Sequence, residues 1–244
     1  MYDPIETDIS RKELIALFKE SLGIPICLIG GWASYFYVNE KYKRAFGKEY
    51  MGSRDIDIFF DPKKEKEFFN IVINKRGFAK NGFHFRYEKI YDRESKTFVP
   101  PEQAKRKQLY DLIYIFLDLF SNEDTKLLGS WWDLEPLKKI SSVKIEDFFV
   151  ADIDTLISLK CTAIFARDKA DKENKDACDL YALITYSGRT IIPTRLPQKA
   201  IEKILSRPDL LYAVAEHVIL DPSKQSIVEV TLRDKLKEIN NHLI

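Results

Sequence analysis

Residues 28–59, LIGGWASYFYVNEKYKRAFGKEYMGSRDIDIF, decide the fold, and the last part of the stretch is the most informative. Two aspartates, Asp55 and Asp57, interrupt an apolar run of strand-forming residues that continues to Phe60. Side chains on a strand alternate between faces, so both aspartates point the same way, roughly 7 Å apart. Two carboxylates on one face repel each other unless a cation lies between them. The pattern therefore predicts a divalent-metal site, and such sites serve phosphate chemistry.

A pair of glycines, Gly30-Gly31, ends the apolar run 24–29 that precedes this strand. The pair predicts a tight turn from a strand into a helix that begins near Trp32. The same geometry would let backbone N–H groups approach a phosphate at the start of that helix. The glycines alone leave both interpretations open, but the order of turn, helix and acidic strand is more specific than either motif.

A third acid is predicted to come from a neighbouring strand within residues 110–120, YDLIYIFLDLF. Asp118 is the best candidate, since a lone carboxylate between Leu117 and Leu119 is unusual in an apolar strand and suggests a functional role. Asp111 is an odd number of positions away, so it faces the other side and is interpreted as an exposed residue at the start of the strand. An ordinary charge on an edge strand stays open as the alternative for Asp118.

Composition excludes several classes of protein. The 244 residues have 45% hydrophobic content, which excludes a disordered chain, and a net charge of +1, which gives no global attraction for nucleic acid. Cys27, Cys161 and Cys178 form no CxxC pair and are predicted to be reduced core residues. We find neither a signal peptide nor an apolar run of roughly 18 residues, so we expect a cytoplasmic protein.

The order of predicted elements indicates an α/β (α+β) fold in two parts. Residues 1–150 are predicted to form a mixed sheet with flanking helices. The strands in this part are predicted at 24–29, 55–60, 110–120 and 138–150, with a hairpin arm at 78–91 and helices at 8–22, at 32–38 and from Asp61 to Lys75. Residues 151–244 are predicted to be helical, with helices at 152–169, 172–186, 197–206, 208–218 and 230–242.

Taken together, Gly30-Gly31, the run Ser53-Arg54-Asp55-Ile56-Asp57 and Asp118 resemble the nucleotidyltransferase fold of the DNA polymerase beta superfamily. Within it, the chain looks like the AbiEii-toxin-like nucleotidyltransferases. Residues 150–183 resemble the helical signature of that group, a lysine, a later basic residue and then Lys/Arg-Asp-x-x-Asp-Leu. The matching positions here are Lys160, Arg167, Lys175, Asp176, Asp179 and Leu180. The likeness covers roughly residues 24–186, and the 23 residues between Gly31 and Asp55 exceed the spacing of compact members.

The resemblance implies transfer of a nucleoside monophosphate from an NTP to an acceptor, which could be tRNA or another RNA, a protein or a small molecule. It implies that the catalytic and metal-binding residues, which would hold two Mg²⁺ ions, are Asp55, Asp57 and Asp118. It implies a nucleotide site formed by Gly30, Gly31, Ser53, Lys160, Arg167, Lys175, Asp176 and Asp179. Family members include toxins that act on RNA, so a toxin role with an antitoxin partner is one expectation. No membrane partner is expected.

The basic and mixed-charge positions keep structural alternatives. Lys160 and Arg167 are seven residues apart, so on one helix they share a face and could hold a triphosphate or snorkel from a packed helix. Lys175 and Asp179 could instead belong to a surface ladder of ion pairs. Arg54 should alternate to the face opposite Asp55 and is interpreted as structural.

Two other functions stay open at this point. A non-catalytic nucleotide-binding module would use the glycines and the basic helix but not the carboxylates. A nucleic-acid interaction protein would use the basic run Lys105-Arg106-Lys107, which is otherwise a solvated loop. The presence of all three acids argues against the first alternative, and the near-zero net charge argues against the second.

Overall fold

The structure, a computed structural model, describes residues 3–123, 141–166, 169–188 and 195–243. The chain divides into two compact units. The first unit comprises Met1–Ala33 and Met51–Ala151, and the second comprises Ser34–Tyr50 and Asp152–Ile244. The sequence-based division is at residue 150, whereas residues 34–50 group with the later helices in the structure.

The first unit contains a mixed sheet, as predicted. Its strands are β1 (Ile26–Ile29), β2 (Ile56–Phe60), β3 (Ala79–Lys80), β4 (Arg86–Asp92), β5 (Thr97–Val99), β6 (Leu112–Phe120), β7 (Ser142–Ile145) and β8 (Phe148–Ala151). The order across the sheet is β3-β4-β6-β2-β1-β8-β7, and β5 pairs with β4. Strands β2 and β6 run parallel, as do β1 and β8, whereas β4 is antiparallel to β6. The hairpin arm predicted at 78–91 corresponds to the antiparallel pair β3 and β4.

The two faces of this sheet differ sharply. On the core face of β6, every second side chain is at most 1% exposed, namely Ile113, Ile115, Leu117 and Leu119. Phe60 of β2 lies on the same core face and contacts Phe68 and Phe69, which belong to helix α3 (Glu65–Phe69). We call the opposite face, which carries Asp57 and Asp118, the site face. Packing of α3 against the core face leaves the site face available for polar groups.

One long helix and several short helical segments accompany the sheet in the first unit. Helix α1 (Pro4–Glu20) begins earlier than predicted, because Asp3 accepts a hydrogen bond from the N–H of Ile5 and Pro4 occupies the first helical position. The predicted helix from Asp61 to Lys75 is a 3₁₀ turn (Pro62–Lys64), α3 and a π-helical turn (Asn70–Lys75) in succession. A further short helix, α4, spans Pro101–Ala104.

Helix α2 (Gly30–Phe46) is longer than the sequence indicates, because the prediction ends it near Val38. In its last two turns Tyr42, Ala45 and Phe46 are the uncharged residues, and the charged residues around them obscure an apolar stripe. Tyr42 is nevertheless 1% exposed, and its ring contacts Phe46 and Tyr186. Tertiary contacts of two aromatic rings therefore support the extension, and Gly47, with φ of 71°, follows its end.

The second unit is helical, as predicted. Its remaining helices are α5 (Ile153–Ala166), α6 (Ala170–Tyr186), α7 (Arg195–Leu205), α8 (Pro208–Val214), which continues as a π-helical turn (Ala215–Ile219), and α9 (Gln225–Leu243). The three cysteines are buried free thiols. Along the described residues, no helix combines the length and the apolar content that crossing a bilayer requires.

Candidate active site

Two of the three predicted acids lie side by side. Asp57 of β2 and Asp118 of β6 are partners in the register of these parallel strands. Neighbouring strands are about 4.8 Å apart, and partners in register present their side chains on the same face. Asp57 is half-buried and Asp118 is 6% exposed. The sheet therefore brings two carboxylates from distant parts of the chain into contact range.

Asp55 lies two residues before Asp57, just ahead of the first residue of β2. Its side chain is 13% exposed, and its Oδ1 is 3.3 Å from Nε of Arg54. The prediction placed Arg54 on the opposite face, but its Cζ is 5.1 Å from the ring centroid of Phe116, a site-face residue of β6. Residues 54 and 55 form a bend before the strand, so strict alternation does not reach them. We call Asp55, Asp57 and Asp118 together the acid cluster.

An arginine that the sequence does not reveal completes the acid cluster. Arg86 of β4 lies opposite Asp118 in the antiparallel register. Its guanidinium donates to both carboxylate oxygens, with Nε 2.7 Å from Oδ1 and Nη2 2.6 Å from Oδ2. The hydrogen bond to Asp118 is the largest cause that raises the pKa of Arg86, and attraction to Asp55 and Asp57 adds to it. The Arg86 guanidinium is therefore attracted by the carboxylates of all three acids.

Aromatic rings surround the same guanidinium. Cζ of Arg86 is 4.7 Å from the ring centroid of Phe116, 5.7 Å from that of Phe85 and 6.0 Å from that of Phe83. A cation close to such rings is attracted by their electron-rich faces. Arg86 is thus held by two kinds of contact, the carboxylate of Asp118 and a group of rings on the site face.

Gly30 has a direct structural reason to be glycine. Its φ is 70°, a left-handed value, and it follows Ile29, the register partner of Asp57. A Cβ at Gly30 would lie 1.9 Å from Oδ2 and 2.6 Å from Cγ of Asp57. The missing side chain therefore leaves room for the carboxylate, while Gly31 is buried in the first turn of α2. Contact of these glycines with phosphate stays a prediction.

The acid cluster has the oxygen ligands that Mg²⁺ prefers. Both oxygens of Asp118, however, accept hydrogen bonds from Arg86. Within the part of the chain that the structure describes, no group of three or more His, Cys, Asp or Glu side chains is arranged to hold a metal ion. The donor chemistry fits a divalent cation, but in this conformation the third carboxylate is held by the arginine. Ser53, predicted to bond a phosphate oxygen, is 3% exposed.

The Lys/Asp motif of the second unit forms a buried network. Nζ of Lys160 is 2.8 Å from Oδ1 of Asp176 and 2.6 Å from Oδ2 of Asp179. Lys175 approaches the same Oδ2 at 3.2 Å, and the hydroxyl of Tyr50 donates to Oδ1 of Asp179 at 2.9 Å. We call these five residues the buried network.

Charge pairing outweighs burial in this network. Burial alone would lower the pKa of Lys160, but attraction to Asp176 and Asp179 raises it. Burial would raise the pKa of Asp179, yet Lys160, Lys175 and the Tyr50 hydroxyl lower it. Both groups are therefore charged at neutral pH, and burial with the nearby Asp179 holds the pKa of Tyr50 well above its ordinary value, which keeps the phenol a donor.

These positions differ from the structural alternatives considered from the sequence. Asp176 is 3% exposed and Asp179 is fully buried, so a surface ladder is wrong for this motif. Lys160 is 7% exposed, so it does not snorkel into solvent. Its ammonium is engaged by two carboxylates, whereas Arg167 lies outside the described residues. Nucleotide binding by Lys160, Lys175, Asp176 and Asp179 stays a prediction.

The basic run Lys105-Arg106-Lys107 is partly neutralised by neighbours. Lys105 pairs with Glu102 at 2.9 Å, and Lys107 pairs with Asp92 at 2.7 Å and with Glu94 at 3.5 Å. The run is therefore a weaker attractant for phosphates than its sequence suggests.

Two residues of these clusters could not be singled out from sequence patterns. Arg86 is 32 positions from Asp118, and Tyr50 is 129 positions from Asp179. Arg86 belongs to a strand whose alternation is imperfect, and Tyr50 belongs to a segment without clear periodicity. Arg86 is identified only by the pairing of β4 with β6, and Tyr50 is identified only by its hydrogen bond to Asp179 of α6.

Comparison with known proteins finds similarity at the level of structure. No protein-family model matches the chain, and no curated protein matches it. JHP933 from Helicobacter pylori has a TM-score of 0.52 at 16% identity, over 100% of this chain and 98% of that chain. An antigenic nucleotidyltransferase-like protein from Paracoccidioides brasiliensis has a TM-score of 0.47 at 16% identity, over 87% of this chain and 93% of that chain.

A third structure, the Megavirus polyadenylate synthase, has a TM-score of 0.36 at 14% identity, over 85% of this chain and 39% of that chain. The last two similarities are too low to carry an argument. The match to JHP933 spans nearly the whole of both chains, so the chain shares the mixed α/β fold and the helical C-terminal region of that protein.

Proposed function

We propose that the protein is a metal-dependent nucleotidyltransferase, which moves a nucleoside monophosphate from an NTP to an acceptor and releases pyrophosphate. The observation that carries the proposal is the in-register placement of Asp57 and Asp118 on adjacent parallel strands, with Asp55 two residues upstream. Gly30, shaped to accommodate Asp57, adds the glycine turn that precedes the acidic strand. The resemblance of these residues to the polymerase beta superfamily supports the same reading.

We assign roles to the acids from their positions together with the resemblance. Asp55 and Asp57 would hold Mg²⁺ on the site face, and Asp118 would share a metal ion and help to accept the proton of the attacking hydroxyl. Bound Mg²⁺, two ions by the resemblance, would neutralise the triphosphate and the leaving pyrophosphate. Gly30 has no side chain, so the Asp57 carboxylate can occupy its position without a collision. Neutralisation of the triphosphate by Lys160 and Arg167 is proposed from the resemblance alone, since two carboxylates engage the Lys160 ammonium.

The finer assignments rest on the resemblance alone. They are membership of the AbiEii-like group, a toxin role with an antitoxin partner, and an RNA acceptor such as tRNA. We propose these three together, because the toxins of that group act on RNA. The cytoplasmic location is a separate proposal, made from the sequence and not from the resemblance.

The direct test is transfer of label. Purified protein is incubated with each α-³²P-labelled NTP, Mg²⁺ and total RNA, and the products are separated on denaturing gels; protein and small-molecule acceptors are tested in parallel. We expect label in an acceptor band with at least one NTP, and loss of label when EDTA removes the metal. Binding of NTP without transfer to any acceptor would contradict the proposal.

One observation favours a non-catalytic nucleotide-binding module as a second candidate. The bidentate bond from Arg86 supplies a counter-charge to Asp118 in the absence of a metal ion. The acid cluster can therefore be part of a stable protein that catalyses no reaction. Such a module would bind NTP equally well in Mg²⁺ and in EDTA, and equilibrium dialysis of labelled NTP under both conditions separates it from the enzyme.

A further inference from the structure

We propose that Arg86 is the resident counter-ion of the acid cluster, and that it competes with divalent metal for Asp118 until a nucleotide draws it away. The inference rests on the proposed function in one respect, since it takes the acid cluster to be the metal site. It adds a regulatory residue that the acidic motif does not contain.

The first step is that Arg86 and a metal ion compete for the same carboxylate oxygens of Asp118. Both carboxylate oxygens accept from the guanidinium, at 2.7 and 2.6 Å. A metal ligated by the same oxygens at about 2.1 Å would stand close to a second positive charge. Asp118 is only 6% exposed, so water does little to screen that repulsion. Binding of the metal through Asp118 therefore requires the guanidinium to move.

The second step is that Arg86 can move without losing all of its partners. Phe116, Phe85 and Phe83 surround the guanidinium at 4.7 to 6.0 Å. Contacts with these rings remain available after the bond to Asp118 breaks. The freed guanidinium keeps its planar pair of donors, which matches two oxygens of a phosphate as well as those of a carboxylate.

The third step joins these two facts into a coupling. A triphosphate that binds Arg86 removes the competitor from Asp118 and so favours the metal, and a metal on Asp118 frees Arg86 for the triphosphate. The coupling is reciprocal by thermodynamic necessity. The protein should therefore bind metal weakly alone and tightly together with nucleotide.

The test measures binding and needs no turnover. Mn²⁺ is titrated into the protein by isothermal calorimetry, without nucleotide and then with a non-hydrolysable NTP analogue. The test variant is Arg86→Gln. The matched control is Arg54→Gln, which removes the same charge beside the acid cluster at a residue whose Nε lies 3.3 Å from Oδ1 of Asp55 rather than in a bidentate bond to Asp118. Arg86→Lys keeps the charge and loses the paired donors.

We expect Arg86→Gln to bind Mn²⁺ about tenfold more tightly than the wild type without nucleotide, and Arg54→Gln to change by no more than about threefold. With metal absent, Arg86→Gln should bind the analogue more weakly. The analogue should tighten Mn²⁺ binding in the wild type and not in Arg86→Gln. This combination of opposite signs is not expected from a purely structural arginine.

Equal Mn²⁺ affinities for the wild type and Arg86→Gln, or an equal gain in Arg54→Gln, would overturn the inference. If Arg86→Gln does not fold, as judged by circular dichroism, Arg86→Lys decides, with tighter Mn²⁺ binding expected and unchanged binding contradicting the idea. An active wild type with unchanged Mn²⁺ affinity in the variants removes only the Arg86 inference. Inactive protein whose variants still show the opposite changes removes only the proposed reaction.

Discussion

The acid cluster of the first unit and the buried network of the second are built from the same kinds of residue but differ in balance. In both, a cation lies within 2.6 to 2.8 Å of a carboxylate. The buried network pairs two lysines with two aspartates and adds a phenol, so it is electrically neutral. The acid cluster sets three carboxylates against the guanidiniums of Arg86 and Arg54, so acids outnumber bases among these five side chains.

Burial sharpens this difference. Asp179 is fully buried and holds three donors that come from two helices and from the segment after α2. Asp57 is half-buried on a sheet face. Removing one partner from a neutral, buried set of charges leaves an uncompensated charge and strongly destabilises the fold. A partly exposed set in which acids outnumber bases offers the oxygen ligands that a divalent cation prefers.

The largest effect should be on activity, from Asp57→Asn in the acid cluster. We expect a loss of nucleotidyl transfer of about a thousandfold or more, because the amide is a poor ligand for Mg²⁺. The melting temperature should hold or rise slightly, since carboxylate repulsion is relieved. Transfer assays measure the loss of activity, and thermal melts measure the melting temperature. Asp111→Asn, an acid just before the same strand as Asp118, is the control and should stay active; activity retained by Asp57→Asn would sink the metal mechanism.

The largest effect on stability should come from the buried network, with Asp179→Ala. The change leaves Lys160 and Lys175 short of a buried partner, so we expect a loss of about 3 to 5 kcal/mol in the free energy of unfolding. Urea titration followed by circular dichroism measures it. Asp171→Ala, an exposed acid in the first turn of the same helix, should lose less than about 1 kcal/mol. Similar losses in the two variants would show that the network is not a stabilising device.

The glycine turn next to the acid cluster offers a finer comparison. Gly30→Ala should destabilise by about 3 kcal/mol, from left-handed backbone strain plus the collision with Asp57. Gly47 has nearly the same φ, 71° against 70°, and a Cβ there meets nothing within 4 Å. Gly47→Ala should therefore lose only about 1 kcal/mol. Equal losses in urea titrations would mean that Asp57 adjusts freely and that the glycine does not position it.

The smallest effect should come from Tyr50→Phe, which removes one donor from Asp179 and leaves both lysines. We expect a loss of about 2 kcal/mol in the free energy of unfolding, typical of a hydrogen bond to a charged group. Tyr110→Phe is the control, because that side chain is 77% exposed and should change stability by less than about 0.5 kcal/mol. A loss in Tyr50→Phe no greater than in the control would show that Lys160 and Lys175 satisfy Asp179 on their own.

Local patterns predicted the elements better than their ends. The apolar runs gave the positions of β1, β2 and β6, and the Asp61-Pro62 pair marked the start of the helical segment that follows β2. The end of α2 was missed, since Tyr42 and Phe46 are buried by residues far away in the chain. The face of Arg54 was also missed, because alternation holds only inside a strand.

The candidate site shows the same limit. The sequence by itself determined that Asp57 interrupts one apolar strand, with Asp55 just before it, and that Asp118 is an anomalous acid in another, because hydrophobicity is a local property of the chain. Only the tertiary structure decided that Asp118 is the register partner of Asp57, that Arg86 holds it, and that the motif around Lys160 is buried. These facts depend on which strands and helices pack together, and contacts between residues 32 to 129 positions apart leave no periodic trace in either segment.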